Sequence, residues 1–328
     1  MRLLETLKKM DLQKYTVSLI STSKKSSESR LLPFHELFDS AVLNIMVGDE
    51  NTAKEVIGYL DQYIQYLFVD IERKKKFDLW DIAKLQLKKT IMLPYKPNDM
   101  TREAAYYFIC KHFNYELKHK KIIIYGCGNI GTKLALYLAE NQAEISLVGR
   151  SKSKINLIKN TLNAILPEYN STKVALFSQN EVYDGLITCL SGNHIVDVDF
   201  LRYLNNGAVV IDIGISNLSP DFILKASIYS IKIYRLDVRM GTPFLSALLR
   251  NHLSSFIEKN IGQVELKGIS CVSGGLIGKE GDIVLDAINK PKLIMGIANG
   301  TGGVKKYGDY NKIDRHNIKK IADLLVLR

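Results

Sequence analysis

The sequence predicts an α/β protein with two domains and a C-terminal tail. Three observations favour this class: the chain length, an alternation of short apolar runs with amphipathic runs, and a glycine-rich turn near the middle of the chain. A chain of 328 residues is long enough for about two domains that each bury a core. Alternating strands and helices predict parallel sheets with right-handed crossovers. We expect domains at 1–118 and 119–244, and a tail at 245–328.

The first domain alternates between predicted strands and predicted helices. Runs rich in β-branched and aromatic residues predict the strands, and amphipathic runs predict the helices. The predicted strands are 16–21, 41–47, 66–71 and 90–93, and the predicted helices are 33–38, 52–63, 79–88 and 101–113. A polar segment, 114–120, would join this parallel sheet to the second domain.

A glycine-rich turn within 121–140 is the most informative feature of the sequence. An apolar strand leads into the pattern Gly-x-Gly-x-x-Gly, and an apolar-periodic helix follows. In such a turn the first glycine permits the bend, the second lets the backbone approach a pyrophosphate, and the third lets the helix pack closely on the strand. The phosphates would bind N–H groups at the helix N-terminus. The residues predicted to hold a dinucleotide are Gly126, Gly128, Asn129, Ile130 and Gly131; the alternative is a plain strand–turn–helix connection.

The end of the next predicted strand, 144–149, indicates which dinucleotide is bound. An NAD site would have Asp or Glu there to accept a hydrogen bond from the ribose 2′-OH, whereas this chain has Gly-Arg-Ser-Lys-Ser-Lys at 149–154. Arg150 offers a planar fork for a 2′-phosphate, Ser151 a hydroxyl, and Lys152 or Lys154 further positive charge. We therefore expect NADP(H). The alternative is a helix N-cap at Ser151 with solvated lysines, and both can hold together.

The rest of the second domain continues the alternation. The predicted strands are 173–177, 185–190, 207–213 and 231–238, and the predicted helices are 151–166 and 198–204. This pattern predicts a doubly wound sheet of the Rossmann type, whose ligand crevice lies at the carboxyl ends of the strands. Pro243 opens a predicted amphipathic helix, 244–257, and a glycine-rich tail ends in a predicted helix at 315–325. We expect this tail to return to the first domain and to pack over the cleft.

Four stretches together resemble the superfamily of shikimate dehydrogenase, methylene-tetrahydrofolate dehydrogenase, methylene-tetrahydromethanopterin dehydrogenase and glutamyl-tRNA reductase. The glycine turn with 149–152 resembles that superfamily's NADP site, 188–192 its strand-end loop near the nicotinamide, and 207–214 the strand and turn of the folate enzymes. The segment 93–99 resembles the proline, lysine and Asn/Asp segments of the shikimate enzymes. The resemblance implies a substrate domain before an NADP-binding Rossmann domain. It also implies cofactor contacts at Leu190, Ser191, Gly192 and Gly214.

The segment around Lys96 contains the candidate catalytic residues. Lys96, Asn98 and Asp99 would lie in a loop after a strand's carboxyl end, which in a parallel sheet faces the interdomain crevice. Lys96 would donate or accept a proton, and Asp99 would orient it. Asn98 would bind a carbonyl or carboxylate of the substrate. The alternative is a turn with a solvated lysine.

Other polar residues are predicted to face the same crevice. Asp237 and Arg239 follow the last predicted strand, and Arg239 would clamp an anionic substrate bidentately; the alternative is an interdomain ion pair. His194 is the one histidine near the predicted nicotinamide, with a structural role as its alternative. The hydroxyl-rich segment 21–23 closes the first predicted strand and would bind a carboxylate; the alternative is an ordinary serine-rich turn.

Composition and charge bear on other classes. The net charge is +11, but the lysines are spread in short runs without exposed aromatics, which indicates a solvated surface with attraction for an anionic cofactor and substrate rather than a nucleic-acid site. We find no 18-residue apolar run and no signal-peptide core at the N-terminus, so we expect a cytoplasmic protein without a membrane span. Scattered cysteines suit a reducing compartment, and we expect no metal site. A homodimer is the expectation from oligomer statistics.

These observations predict an NADPH-dependent oxidoreductase. It would transfer a hydride to or from a C=O or C=N carbon of a small, polar, anionic substrate bound in the interdomain cleft. One alternative is a methylene-pterin or folate-type dehydrogenase, in which the carbon donor is already activated. Another is an NADP-binding sensor or scaffold without turnover.

Overall fold

The structure is a computed structural model that describes residues 3–37 and 40–326. It divides into a larger unit that extends to Ala247 and a smaller unit that begins at Leu248. Within the described residues, the larger unit contains two sheets and the smaller unit contains one. Among the described residues, no helix combines the length and the apolar character that crossing a membrane requires.

The first sheet of the larger unit is mainly parallel. Its strands are β1 (Val17–Ser21), β2 (Arg30–Leu31), β3 (His35–Leu37), β4 (Ser40–Met46), β5 (Tyr66–Asp70) and β6 (Ile91–Tyr95). The order β4-β1-β5-β6 is parallel throughout, and β2 and β3 pair antiparallel with β4. Strands β1 and β5 are buried along their whole length, as expected for inner strands of a parallel sheet that is covered on both faces. The predicted α/β class is confirmed.

Four helices accompany this sheet: α1 (Leu3–Lys8), α2 (Glu50–Leu60), α3 (Leu79–Gln86) and α4 (Pro97–His112). Asp49 and Asp78 cap α2 and α3, since each carboxylate accepts a hydrogen bond from a backbone N–H of the first turn. Helix α4 begins earlier than the predicted 101, because Pro97 occupies the first helical position, where its missing N–H costs nothing.

The predicted helix at 33–38 is wrong for its described residues. His35–Leu37 is strand β3, in which His35 and Leu37 are buried and Glu36 is exposed. This alternation has the period of a strand, and pairing with β4 fixes it. Phe38 lies outside the described residues.

The second sheet of the larger unit is doubly wound. Its strands are β7 (Lys121–Tyr125), β8 (Glu144–Val148), β9 (Ala175–Leu176), β10 (Tyr183–Thr188), β11 (Leu204–Asp212) and β12 (Lys232–Arg235). They run parallel in the order β12-β11-β10-β7-β8-β9, which is the Rossmann strand order. The order reverses between β7 and β10, and a sheet of this kind binds its ligand at the carboxyl ends beside that point.

The helices of the second sheet are α5 (Asn129–Glu140), α6 (Lys152–Ile165) and α7 (Pro220–Ala226). The predicted helix at 198–204 is a 3₁₀ helix, Val198–Tyr203. Helix α4 packs against α5 through aromatic and cationic side chains: the Arg102 guanidinium lies 4.0 Å from the centre of the Tyr137 ring, and Tyr106 meets the same ring edge-on. Helix α4 therefore joins the core beneath α5.

The predicted helix at 244–257 is two helices, α8 (Thr242–Leu253) and α9 (Phe256–Asn260), because the Ser254 hydroxyl accepts a hydrogen bond from the Phe256 N–H and ends the first. The smaller unit also contains a sheet that the sequence reasoning missed. Its strands are β13 (Gly262–Leu266), β14 (Ile269–Ser273), β15 (Ile283–Leu285) and β16 (Ile294–Ile297), and α10 (Lys312–Val326) packs on them through Ile321. The return of the tail to the first domain stays a prediction.

Candidate functional site

The glycine turn between β7 and α5 has the geometry that a pyrophosphate site needs. Gly126 has a φ of +112°, and a Cβ there would lie 2.7 Å from the Cys189 carbonyl oxygen. A Cβ on Gly131 would lie 2.1 Å from the Gly126 carbonyl oxygen, so both positions require glycine. A Cβ on Gly128 would meet no atom within 4 Å. The backbone at Gly128 therefore borders open space, where the phosphates would lie.

Helix α5 presents its N-terminus to this space. Its N-cap is Gly128, which makes no side-chain cap hydrogen bond, and the first turn carries Asn129 and Ile130. Uncapped N–H groups at a helix N-terminus bind anions, and the helix dipole favours negative charge there. The residues present therefore fit a dinucleotide pyrophosphate.

The residues predicted to determine the preference for NADP over NAD follow the end of β8. Ser151 is the N-cap of α6, with its hydroxyl accepting a hydrogen bond from the Lys154 N–H at 3.3 Å, so the capping role is observed. Arg150 and Lys154 are exposed. Burial raises the pKa of the Cys127 thiol, and the charge of Lys154 acts in the opposite direction. Lys154 thus acts electrostatically on the glycine turn.

A buried network joins the loops after β10 and β11, where Leu190, Ser191, Gly192 and Gly214 lie. The Asn217 carboxamide accepts a hydrogen bond from the Leu190 N–H at 3.0 Å and donates to the Leu190 and Gly192 carbonyls at 3.2 and 2.7 Å. A Cβ on Gly214 would lie 2.0 Å from the same carboxamide oxygen, so this position also requires glycine. The two loops are held as one unit beside the point where the strand order reverses.

Asp212 anchors this network at the end of β11. Its carboxylate accepts hydrogen bonds from the Thr188 hydroxyl at 2.8 Å and from the Asn217 N–H at 3.1 Å. Sequence reasoning missed Asp212 and Asn217. The signal that was available is a carboxylate at the end of an apolar strand, followed by a short turn. In that turn Ile215 and Ser216 have φ values of 62° and 60°, a left-handed conformation that the packed Asn217 helps to hold.

A cleft of about 590 Å³ opens between the carboxyl ends of the two sheets of the larger unit. The first sheet, including the hairpin of β3 and β4, contributes these residues to the wall of the cleft: Ser21, Thr22, Ser23, Arg30, His35, Asn44 and Tyr95. The second sheet contributes Ile213, Ile215, Arg235, Asp237 and Arg239. Lys25, in the loop after β1, donates to the Gly214 carbonyl at 2.5 Å and links the two sides.

Of the residues that the structure describes, three arginines line the cleft, and they differ in whether they form an ion pair. Arg239 binds Asp237 bidentately, with Nε 2.9 Å and 3.0 Å from the two carboxylate oxygens, and this lowers the pKa of Asp237. Arg30 pairs with Glu28 at 3.3 Å. Arg235, at the end of β12, forms no ion pair with any residue in the described ranges. Arg235 therefore brings to the cleft a positive charge that no carboxylate of the described residues pairs with. Sequence reasoning missed this residue.

Lys96, Asn98 and Asp99 lie at the start of α4 rather than in a loop. Lys96 is the exposed N-cap and is not among the residues that line the cleft. The Asn98 N–H donates to the Glu72 carboxylate at 3.1 Å. The Asp99 carboxylate pairs with the Lys133 ammonium of α5. The structure therefore does not pair Lys96 with Asp99.

Hydroxyl groups at the end of the first sheet do face the cleft. The buried Asp70 carboxylate accepts hydrogen bonds from the Thr22 N–H at 3.1 Å and from the Thr22 hydroxyl at 3.3 Å. These bonds fix Thr22 in the cleft wall. Burial raises the pKa of Tyr95 far above its usual range, and the Asp70 carboxylate acts in the same direction. The Tyr95 phenol, which lies beside Ser21, therefore stays protonated at neutral pH.

His35 is a buried cleft residue that sequence reasoning also missed. It is 1% exposed, and its Nδ1 and Nε2 lie 2.9 Å from the Thr242 hydroxyl and 3.1 Å from the Asn44 amide nitrogen. Burial lowers its pKa to about 4; the Arg239 charge acts in the same direction and Asp237 opposes it. His194, the histidine that the sequence singled out, is exposed, and its backbone N–H donates to the Ser216 carbonyl.

Comparisons with known proteins give a distant likeness only. No protein-family model and no curated protein matches the chain. Among solved structures, a dipicolinate synthase chain from Bacillus halodurans is 13% identical with a TM-score of 0.38, over 76% of this chain and 83% of that chain. L-tryptophan dehydrogenase from Nostoc punctiforme is 9% identical with a TM-score of 0.45, over 74% and 77%. Ornithine carbamoyltransferase from Pyrococcus furiosus is 11% identical with a TM-score of 0.41, over 74% and 86%. Likeness at this level does not establish a family, and the resemblance to the shikimate dehydrogenase superfamily stays a prediction.

Proposed function

We propose that this chain is an NADP(H)-dependent oxidoreductase that acts on a C=O or C=N carbon of a small anionic substrate. The glycine turn carries the proposal. Gly126 and Gly131 are sterically required, Gly128 borders open space, and the turn lies beside the reversal of a Rossmann sheet. The cleft begins at the ends of the strands on the other side of that reversal. A cofactor on the turn would thus reach a substrate in the cleft.

The chain's own residues bind and orient the cofactor in this proposal. N–H groups of the first turn of α5 bind the pyrophosphate, and Arg150, Ser151 and Lys154 bind the 2′-phosphate. The loops braced by Asn217 hold the nicotinamide end. A bound NADP(H) supplies or accepts the hydride.

The charge of the cleft supports an anionic substrate. The Asp237 carboxylate is already bound by Arg239. Arg235 has no ion pair within the described part of the chain, so its guanidinium can bind a substrate carboxylate or phosphate. On the opposite wall, the Ser21 and Thr22 hydroxyls donate to the Ile45 carbonyl and to Asp70, whereas the Ser23 hydroxyl accepts from the Lys25 N–H and would donate its proton to the same molecule. Asp237, Arg239 and Asn98 stay proposed substrate contacts from the sequence.

Reduction of a carbonyl or imine also needs a proton donor. Lys96 is the donor that the sequence proposes, and it lies between Tyr95 and Pro97, which both line the cleft. Tyr95 also lines the cleft and is a second candidate donor, although the raised pKa of its phenol makes it a weaker acid than an ordinary tyrosine. Replacing each side chain separately distinguishes them.

The direct test is turnover. Purified protein is mixed with NADPH and a panel of 2-oxo acids, ketones and imines, with NADPH oxidation followed by absorbance. We expect turnover with members that carry a carboxylate, and none with matched neutral esters. Tight NADPH binding without turnover across the panel would instead favour an NADP-binding sensor or scaffold.

A further inference from the structure

A chain of hydrogen bonds crosses the cleft wall from the first sheet to the residues that follow the second. The Asn44 amide nitrogen lies 3.3 Å from the Pro33 carbonyl oxygen and 3.1 Å from His35 Nε2. Because it must donate to the carbonyl, this nitrogen is the NH₂ group, and it donates to Nε2 as well. Nε2 is therefore unprotonated, and the proton of the neutral ring is on Nδ1.

The chain continues to the start of α8. His35 Nδ1 donates to the Thr242 hydroxyl at 2.9 Å, and that hydroxyl donates to the Arg239 carbonyl at 2.6 Å. The same carbonyl accepts the Thr242 backbone N–H. Thr242 thus connects the His35 ring to the backbone of Arg239.

Helix α4 also holds the 3₁₀ turn Val238–Gly241. A Cβ on Gly241 would lie 2.5 Å from the Met100 carbonyl oxygen, so the turn is pressed against α4 there. Asp237 caps the turn by accepting the Arg239 N–H at 3.0 Å. The bond from His35 adds a link from the hairpin of β3 and β4.

We propose that His35 is a positioning residue, which through Thr242 fixes the turn that carries Asp237 and Arg239 in the cleft wall. Its two ring nitrogens are both used in hydrogen bonds, so it holds the turn rather than reacting with substrate. For its effect on substrate affinity, this inference rests on the proposed function.

Two pairs of variants separate this role from simple packing. His35→Asn keeps an amide donor near the position of Nδ1, and His35→Gln keeps an acceptor near the position of Nε2. Thr242→Ser keeps the hydroxyl, and Thr242→Val removes it at similar volume. Only His35→Asn and Thr242→Ser preserve the bond between the hairpin and the turn.

Hydrogen exchange followed by mass spectrometry measures how well the backbone amides of the turn are protected, and it needs no substrate. We expect His35→Gln and Thr242→Val to speed exchange of peptides covering 238–245 by about five- to tenfold, as for loss of one neutral hydrogen bond. His35→Asn and Thr242→Ser should stay within about twofold of the parent protein. Equal exchange in all four variants, or faster exchange that also extends to β10, would overturn the proposal.

The KM for the anionic substrate is the second readout. It should rise about fivefold in His35→Gln and Thr242→Val with kcat little changed, and remain near the parent value in the conservative variants. A fall in kcat with constant KM would overturn the positioning role. If no substrate is turned over while the exchange pattern holds, the proposed function fails and the role of His35 stands.

Discussion

Asp99 of α4 forms an ion pair with Lys133 of α5, and the pair links the first turn of one helix to the helix that follows the glycine turn. The Asp99 side chain is 18% exposed and that of Lys133 is 37% exposed. The carboxylate that the sequence assigned to Lys96 thus has a different partner. Any proton transfer by Lys96 therefore has to operate without an orienting bond from Asp99.

Replacement of Lys96 tests its proposed role as proton donor. If Lys96 protonates the substrate, Lys96→Met should lower kcat for a carbonyl or imine about a hundredfold, because a positioned acid contributes at least that much. Steady-state rates measure this, with the exposed Lys89→Met as the control. An unchanged kcat would move the role to Tyr95, and it is also the result expected of a methylene-pterin dehydrogenase, which needs no proton relay.

Removal of Arg150 tests the choice of cofactor. Arg150→Ala should weaken NADPH by about 1.5–3 kcal/mol and leave NADH nearly unchanged, since the guanidinium would bind the 2′-phosphate that NADH lacks. Isothermal titration calorimetry with both nucleotides measures the difference. The exposed Lys225 on α7 supplies the matched control, Lys225→Ala. Equal losses for both nucleotides would contradict the assignment.

Arg235 should set the preference for an anionic substrate. Arg235→Met should raise KM for a carboxylate substrate about tenfold or more, because a charge-assisted hydrogen bond is lost, while the NADPH affinity stays constant. Arg235→Lys should recover part of the affinity, since a lysine keeps the charge but not the bidentate geometry. The same KM in the parent protein and in Arg235→Met would mean that the anionic group binds elsewhere in the cleft.

Acid should destabilise the larger unit through His35. Its pKa is lowered from 6.5 to about 4 by burial, with Arg239 assisting and Asp237 opposing. A lowered folded-state pKa means that the unfolded chain binds more protons, so this contribution is complete above about pH 6.5 and is lost as the pH falls towards 4. Between pH 7 and pH 5 the parent protein should lose about 2 kcal/mol more unfolding free energy than His35→Asn, which does not titrate. Urea unfolding at both pH values measures it, and parallel losses in the two proteins would contradict it.

Local chemistry explains what the sequence predicts well. The glycine turn depends on the left-handed backbone of Gly126 and on the close approach that Gly131 permits, and these residues lie within a few positions of each other. The doubly wound parallel sheet follows from the alternation of apolar strands and helices. These features need no knowledge of distant partners.

The errors and omissions involve partners far apart in the chain. His35 and Thr242 are separated by 207 positions, so no local pattern joins them. Strand β3 has only three residues and exists because β4 pairs with it, whereas periodicity cannot separate such a run from a helix. The sheet of the smaller unit likewise depends on pairing between short strands separated by glycine-rich turns.

Calorimetry of NADPH binding to Gly128→Ala tests the central claim most directly. The added methyl group meets no protein atom, so the fold should persist, but it occupies the space proposed for the pyrophosphate. Gly308→Ala is the matched control, since its Cβ also meets nothing within 4 Å. We expect the parent protein and Gly308→Ala to bind NADPH alike, and Gly128→Ala to bind at least about tenfold more weakly, which is about 1.4 kcal/mol. No heat with the parent protein, or equal affinity in all three proteins, would contradict a dinucleotide site at this turn.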